Sequence, residues 1–249
     1  MNLKHKLKSI LGKAPNEKID VGKSNERDRK VWLKETLKNL PNGSKILDAG
    51  AGQQQYKAYC THLEYVSQDF GGYEANNGKP GLQKKDWDYG ELDIISDIAS
   101  IPREDASFDA IMCIEVLEHV VNPKEAIAEF TRLLKPGGTL IITAPFCSLT
   151  HFAPYHFYSG FNSFFYETEL EKNGFEIVNI TANGNYFEYL AQEVNRLPSM
   201  SQRYSNVTLD APSKKLLFNM KKLLKTLSDK DANSSELLCY GYHVLAKKK

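Results

Sequence analysis

"KILDAGAGQQQY", residues 45–56, decides how the chain is read. Ile46, Leu47 and Ala49 surround an acid, Asp48, in a short apolar run, and Gly50-Ala51-Gly52 follows at once. An apolar run this short, closed by glycines, predicts a buried strand over 45–49 ending in a tight turn. A dinucleotide-binding turn would continue to a third glycine and present a helix N-terminus to a pyrophosphate. Here Gln53-Gln54-Gln55 stand in its place, and an acid beside the turn suits an amine-bearing group better than a phosphate. About twenty residues on, Asp69 ends the next apolar run, the position from which an acid reaches ribose hydroxyls. Together they predict a ribose-bearing ligand without a pyrophosphate.

Outward from that turn, apolar runs alternate with helical patterns. Strands are predicted at 45–49, 64–68, 92–96, 108–114, 139–144 and 174–183, with a last one in "SELLCYGYHVLAKK" at 235–248. Helices are predicted at 26–40, 53–62, 123–135, from about Asn162, at 185–196 and at 213–228. Strand–helix alternation implies right-handed crossovers and a parallel sheet covered on both faces. The two late strands, split by a helical insertion at about 183–235, imply an antiparallel edge with a lid-like lobe. Residues 71–90 form a long polar loop, the kind that carries function or moves.

The 249 residues carry 32 Lys+Arg against 31 Asp+Glu, a formal charge of +1. No overall field therefore calls for a nucleic-acid partner, and no DNA is expected. Basic residues cluster locally, in a Lys-rich segment at 1–25 and in "SKKLLFNMKKLLKTL". In the latter, Leu216, Leu217, Met220, Leu223, Leu224 and Leu227 fall at helical spacing, with Lys214, Lys215, Lys221, Lys222 and Lys225 largely opposite. Packing on its own domain is the favoured reading, over an anionic membrane surface or a phosphate-rich partner. Cys60, Cys113, Cys147 and Cys239 show no metal-like spacing, and three sit in apolar stretches, so reduced thiols are expected. The sequence shows no signal-peptide run and no membrane-spanning segment, which gives a cytoplasmic expectation.

Five segments in order, "ILDAGAG" at 46–52, "YVSQD" at 65–69, "SDIASIP" at 96–102, "SFDAIMCIEVLEHV" at 107–120 and "LLKPGGTLIITAP" at 133–145, resemble class I S-adenosylmethionine-dependent methyltransferases over about residues 26–182. The resemblance leans toward the quinone-biosynthesis O-methyltransferase-like branch. It implies a Rossmann-like, doubly wound, seven-stranded α/β sheet, mostly parallel with the last strand antiparallel, in a domain over 26–249. It also implies S-adenosyl-L-methionine as cofactor. By it, Gly50, Ala51 and Gly52 face the methionine moiety and Asp48 helps position its amino group, unless Asp48 merely caps the helix expected after it. Asp69 takes the ribose hydroxyls, Asp97 the adenine amino group with Ile98 at the ring, and Glu115 and Val116 the methionine side. Asp93 is a less well placed competitor for Asp97. Arg27 or Arg29 is within reach of the ligand carboxylate, although a surface salt bridge is preferred for either.

"IEVLEHV" holds the candidate chemistry. Glu115, Glu118 and His119 form E-x-x-E-H, similar to segments of quinone O-methyltransferases and small-RNA 2′-O-methyltransferases. His119 reads as a general base for an acceptor hydroxyl, with Glu115 and His156 as the other catalytic candidates. The alternatives are a divalent metal site completed by His151 or His156, and a purely structural role; no metal ligand is assigned. Phe152, Tyr155, His156, Phe157 and Tyr158 read as an acceptor wall, and Phe164, Phe165 and Tyr166 as core. The acceptor is expected to be a small molecule or a glycan. RNA ribose methylation is the less favoured alternative, as are a non-catalytic S-adenosylmethionine-binding regulator and a dinucleotide-dependent oxidoreductase.

Overall fold

The strand before the glycine turn is buried along its length: in β1 (Lys45–Ala49), Ile46, Leu47 and Ala49 are fully enclosed. The computed structural model describes residues 19–75 and 78–249; most of the basic segment expected at 1–25 lies outside these. β1 pairs in parallel with β2 (Glu64–Asp69) on one side and with β4 (Phe108–Ile114) on the other. The seven-stranded order is β3-β2-β1-β4-β5-β7-β6, where β3 is Ile94–Ile95, β5 Leu134–Pro145, β6 Phe175–Asn183 and β7 Gly241–Lys248. β7 is antiparallel to both β5 and β6, so the sheet is the mixed, Rossmann-like one expected. Its order reverses between β1 and β4, which opens a crevice at their carboxyl ends.

Helices α1 (Asn25–Lys38), α2 (Pro123–Leu133) and α3 (Ser163–Lys172) cover the sheet. α1 turns Leu33 and Leu37 inward, and α2 buries Ala126, Ile127, Phe130 and Leu133, each fully enclosed. Asn162 starts α3 by accepting from the Phe165 N–H. The insertion between β6 and β7 consists of α4 (Tyr186–Ser205) and α5 (Ala211–Asp229), which pack on each other.

Several boundaries differ for identifiable reasons. The helix expected at 53–62 does not form; turns lead into a single 3-10 turn at Lys57–Tyr59. Gly52 and Gln54 both take left-handed backbone, φ +52° and 54°, which an α-helix cannot pass through. The Gln54 side chain instead donates to the carbonyls of Tyr89 (2.9 Å) and Glu91 (2.7 Å). β3 shrinks to two residues because Asp93 turns aside to accept from Ser67 N (2.8 Å) and Oγ (2.7 Å). β5 begins at Leu134, inside the predicted helix, because Leu134 pairs with Phe108 ahead of a bulge. The last strand starts at Gly241, after a 3-10 turn at Ser234–Glu236.

Of the residues read as core in α3, Tyr166 is fully buried and Phe165 partly so, but Phe164 is 70% exposed; neighbours on a helix face different ways. The packing expected of α5 is also incomplete. Leu224 is buried and Leu217 half-buried, while Leu216, Met220, Leu223 and Leu227 face solvent. Cys60, Cys113 and Cys239 are buried and Cys147 exposed, and all four are free thiols. Among the described residues no helix is long and apolar enough to cross a membrane.

Candidate functional site

A cleft of about 560 Å³ opens at the carboxyl ends of β1 and β4. Its floor includes Asp48, Gly50, Ala51, Gly52, Asp69, Asp97, Ile98, Glu115 and Val116. The β1 turn is a cradle that only glycine allows. Gly50 has φ +78°, and a Cβ there would lie 2.5 Å from a Val116 methyl. A Cβ on Gly52 would sit 3.0 Å from the Trp87 ring.

Asp48 is 2% exposed and accepts from the Tyr65 hydroxyl at 2.6 Å. Burial, against that hydrogen bond and with help from Asp69, pushes its carboxyl up to about 7. Since no α-helix follows β1, a capping role for Asp48 falls away. Asp69 accepts from Gly52 N (2.9 Å) and Gly71 N (3.0 Å), joining the β1 and β2 turns. Burial raises its pKa, opposed by these backbone donors. Asp97, on the rim, accepts from Ala99 N at 2.8 Å. Asp93 is tied to Ser67 and does not line the cleft.

Arg29 and Arg27 divide. Arg27 meets Asp20 and Asp28 at the surface. Arg29 lines the cleft, with a largely buried guanidinium 2.9 Å from Glu115 Oε2, so for it the surface salt-bridge reading is corrected. Burial works against its charge, yet Glu115 and Tyr56 keep its pKa above the ordinary value. Glu115 itself has left-handed backbone, φ 56°, and its other oxygen accepts from Thr143 Oγ1 at 2.9 Å. Glu115 is thereby engaged on both oxygens and is not one of the ligand-capable groups that cluster at Glu118.

Glu118, His119 and His151 form the other end of the site. Among the described residues their ligand-capable atoms all lie within 4.8 Å of one another. His119 Nδ1 is 2.5 Å from the Tyr155 carbonyl and His151 Nδ1 is 2.8 Å from that of Leu149. A carbonyl only accepts, so each Nδ1 carries the proton and each Nε2 keeps its lone pair. Those Nε2 atoms lie 3.6 Å and 3.9 Å from Glu118 Oε1. Burial, then His151, pushes His119 down to about 3, so its ring is neutral at neutral pH. Burial, then the charge of Glu115, holds Glu118 well above the usual carboxylate range. Glu118 is 1% exposed, and its Oε2 has no hydrogen-bond partner among the described residues.

His156 lies behind this group. Its Nε2 is 3.1 Å from Ser148 Oγ, its ring centroid is 6.0 Å from that of His119, and it does not line the cleft. Of the two histidines offered as a further ligand, it is His151 and not His156 whose ligand atom clusters with Glu118 and His119. The long polar loop supplies what the sequence reading missed: Tyr73, Trp87 and Tyr89 line the cleft beside Phe152 and Tyr155. Leu82 N donates to Thr150 O at 2.8 Å, and Leu82 O accepts from Phe152 N at 3.3 Å. That bridge fixes the segment carrying His151. Aromatics among the glycines of 71–90 were the available signal.

Residues 47–142 match the family model described as a methyltransferase domain. The chain carries a methyltransferase domain. Its fold agrees with that of an S-adenosylmethionine-dependent methyltransferase from Archaeoglobus fulgidus, with a TM-score of 0.53 at 16% identity, covering 99% of this chain and 100% of that one. Two curated relatives are similar to part of the chain. The tRNA (carboxymethyluridine(34)-5-O)-methyltransferase of Arabidopsis thaliana is 33% identical over 110 residues, 43% of this chain and 25% of the relative. The ubiquinone biosynthesis O-methyltransferase of Xylella fastidiosa (strain M23) is 30% identical over 109 residues, 41% of this chain and 42% of the relative. The chain thus spans less than half of either relative's length.

Proposed function

We propose that the chain is an S-adenosylmethionine-dependent O-methyltransferase acting on a hydroxyl of a small molecule or a glycan. One observation carries the reading: a glycine cradle flanked by Asp48, Asp69 and Asp97 runs in one cleft to the neutral, lone-pair-bearing Nε2 of His119. The cradle fits the cofactor by its donor set: Gly50 and Gly52, whose Cβ positions are taken by Val116 and Trp87, bring bare backbone to the cleft beside the carboxyls of Asp48 and Asp69. When bound, S-adenosylmethionine supplies a methyl group that the acceptor oxygen takes as the carbon–sulfur bond breaks, leaving S-adenosylhomocysteine. Asp48 faces the amino group, Asp69 the ribose hydroxyls, and Asp97 with Ile98 the adenine. Arg29 and Thr143 hold Glu115 at the methionine side. His119 Nε2 receives the acceptor's proton, and Phe152 and Tyr155 offer ring faces to the acceptor. Both curated relatives are named for transfer to oxygen, which supports the same atom here.

The first test is calorimetric titration with S-adenosylmethionine and S-adenosylhomocysteine. Labelled methyl transfer to a panel of phenols, catechols, sugars and tRNA follows. Absence of binding removes the reading, and label in tRNA alone replaces the small-molecule acceptor with RNA. Asp69→Ala should weaken S-adenosylmethionine binding about tenfold, the worth of a hydrogen bond to a charged group. Unchanged affinity would remove Asp69 from the ribose site.

A second reading of the acceptor end has its own support. Two imidazoles with Nδ1 held by backbone carbonyls, beside a buried carboxylate with an unpartnered oxygen, suit a divalent cation. That set favours Zn²⁺ or Mn²⁺ over Mg²⁺, and the ion would polarise the acceptor oxygen. Zn²⁺ or Mn²⁺ should then bind the free protein, and Glu118→Gln should abolish that binding while S-adenosylmethionine affinity holds. Metal binding unaffected by Glu118→Gln would leave His119 as the sole acceptor-side base.

A further inference from the structure

α5 carries more apolar surface than its own domain covers. Leu224 packs with Ala191 of α4 and with Val21, and Ile19 joins the same cluster. A second apolar line, Leu216, Met220, Leu223 and Leu227, follows the spacing i, i+4, i+7, i+11 and therefore runs straight along the helix. These residues are 65%, 44%, 58% and 36% exposed. Isolated exposed leucines need no explanation, but a continuous line of four does.

Charge selects the occupant. α5 holds five lysines, Lys214, Lys215, Lys221, Lys222 and Lys225, and one acid, Asp229 at its end. Lys215 and Lys222 are exposed and follow the line on its solvent side. The chain's first segment enters beside α5, since Ile19 and Val21 pack on the same cluster. By sequence that segment is also basic, with Lys4, Lys6, Lys8 and Lys13 before its first acid, Glu17. Laying it on α5, or pairing α5 with a second copy of itself, would set lysine against lysine, which like-charge pairing penalises. An anionic lipid surface takes the leucine line into its acyl boundary and offers counter-charge to the exposed Lys215 and Lys222, while Lys225 pairs with Asp229.

We propose that α5 is an interfacial helix that docks the protein on anionic phospholipid bilayers through Leu216, Met220, Leu223 and Leu227, with the exposed Lys215 and Lys222 at the headgroups. The proposal is independent of the methyl-transfer reading and goes beyond it.

The test is co-sedimentation of the full chain with vesicles of phosphatidylcholine alone and of phosphatidylcholine with about one-third phosphatidylglycerol. Binding should require the anionic lipid and weaken as salt rises. Leu216→Ser with Leu223→Ser should lower the partition at least tenfold, given the apolar area removed. Lys215→Glu with Lys222→Glu should lower it comparably. Both double variants alter exposed side chains and should melt as the parent does. Three results would overturn the proposal. One is no sedimentation with anionic vesicles, leaving the line to the chain's own first residues or to a second copy, which gel filtration would show as a dimer lost in the serine variant. Another is equal binding to neutral vesicles. The third is binding that survives the serine changes but not the glutamates, the behaviour of a polyanion contact such as RNA.

Discussion

His119→Ala should lower turnover at least 100-fold on the acceptor that the labelled-methyl screen identifies, the lower end of what a positioned acid or base supplies, with S-adenosylmethionine affinity held within about threefold. The Tyr155 carbonyl fixes the tautomer, so Nε2 is the only ring atom able to receive a proton. A group held near a pKa of 3 is a weak base toward a free hydroxyl. It need not be a strong one. As the acceptor oxygen forms its new bond to carbon it becomes positively charged, and its proton turns far more acidic than in the free alcohol. Transfer to a weakly basic imidazole is then downhill at the moment it is needed. Burial serves this arrangement by keeping the lone pair unprotonated in the resting protein. His119→Asn, which can accept a hydrogen bond but not carry the proton, should recover little. If affinity falls as far as turnover, His119 shapes the cofactor end and the assignment of the base is wrong. A thermal melt separates either case from collapse, because His151 and Phe152 pack their rings 4.7 Å and 5.2 Å from that of His119.

What the sequence disclosed follows from how locally each feature is encoded. β1, its turn and Asp69 are contiguous signals, and the structure puts Asp48, Gly50, Gly52 and Asp69 in one cleft. The sheet was legible because apolar runs and helical periods alternate along most of the chain. The acceptor end was legible only in part. Glu118 and His119 are adjacent, but His151 joins them through a loop whose position depends on Leu82, contributed by the long polar segment. No local pattern could choose between His151 and His156, which differ only in which of them the loop turns toward Glu118. Glu115 shows the converse. It belongs to the same motif as Glu118, yet left-handed backbone and Arg29 hold it out of the cluster that Glu118 forms with His119 and His151. Spacing within a motif does not fix direction once a strand has ended.

Asp48→Asn should stabilise the protein at pH 8 by about 4 kcal/mol and change it little near pH 4. The fold holds the carboxyl at about 7, against an ordinary value of 3.8, and a tenfold change in proton affinity corresponds to about 1.4 kcal/mol. Because the folded value is the higher one, the native state binds more protons than the unfolded chain between these two values. Stability therefore falls as pH rises through that window, and the full penalty stands above pH 7. Asparagine has no proton to lose and can still accept from Tyr65. The melting temperature should accordingly rise by roughly 10 °C at pH 8 for a domain of this size, with little difference at pH 4. Equal melting curves at pH 8 would show that the carboxylate is better solvated than its burial implies. A buried acid that destabilises its own fold calls for a compensating role, and in the proposed binding mode the ligand's amino group would supply one. S-adenosylmethionine binding by the parent protein should tighten between pH 6 and 8 as Asp48 ionises to meet that cation. The asparagine variant should bind more weakly at pH 8 and show no such slope. Tight, pH-independent binding by both proteins would place the amino group elsewhere, leaving Asp48 a destabilising residue with no part in recognition.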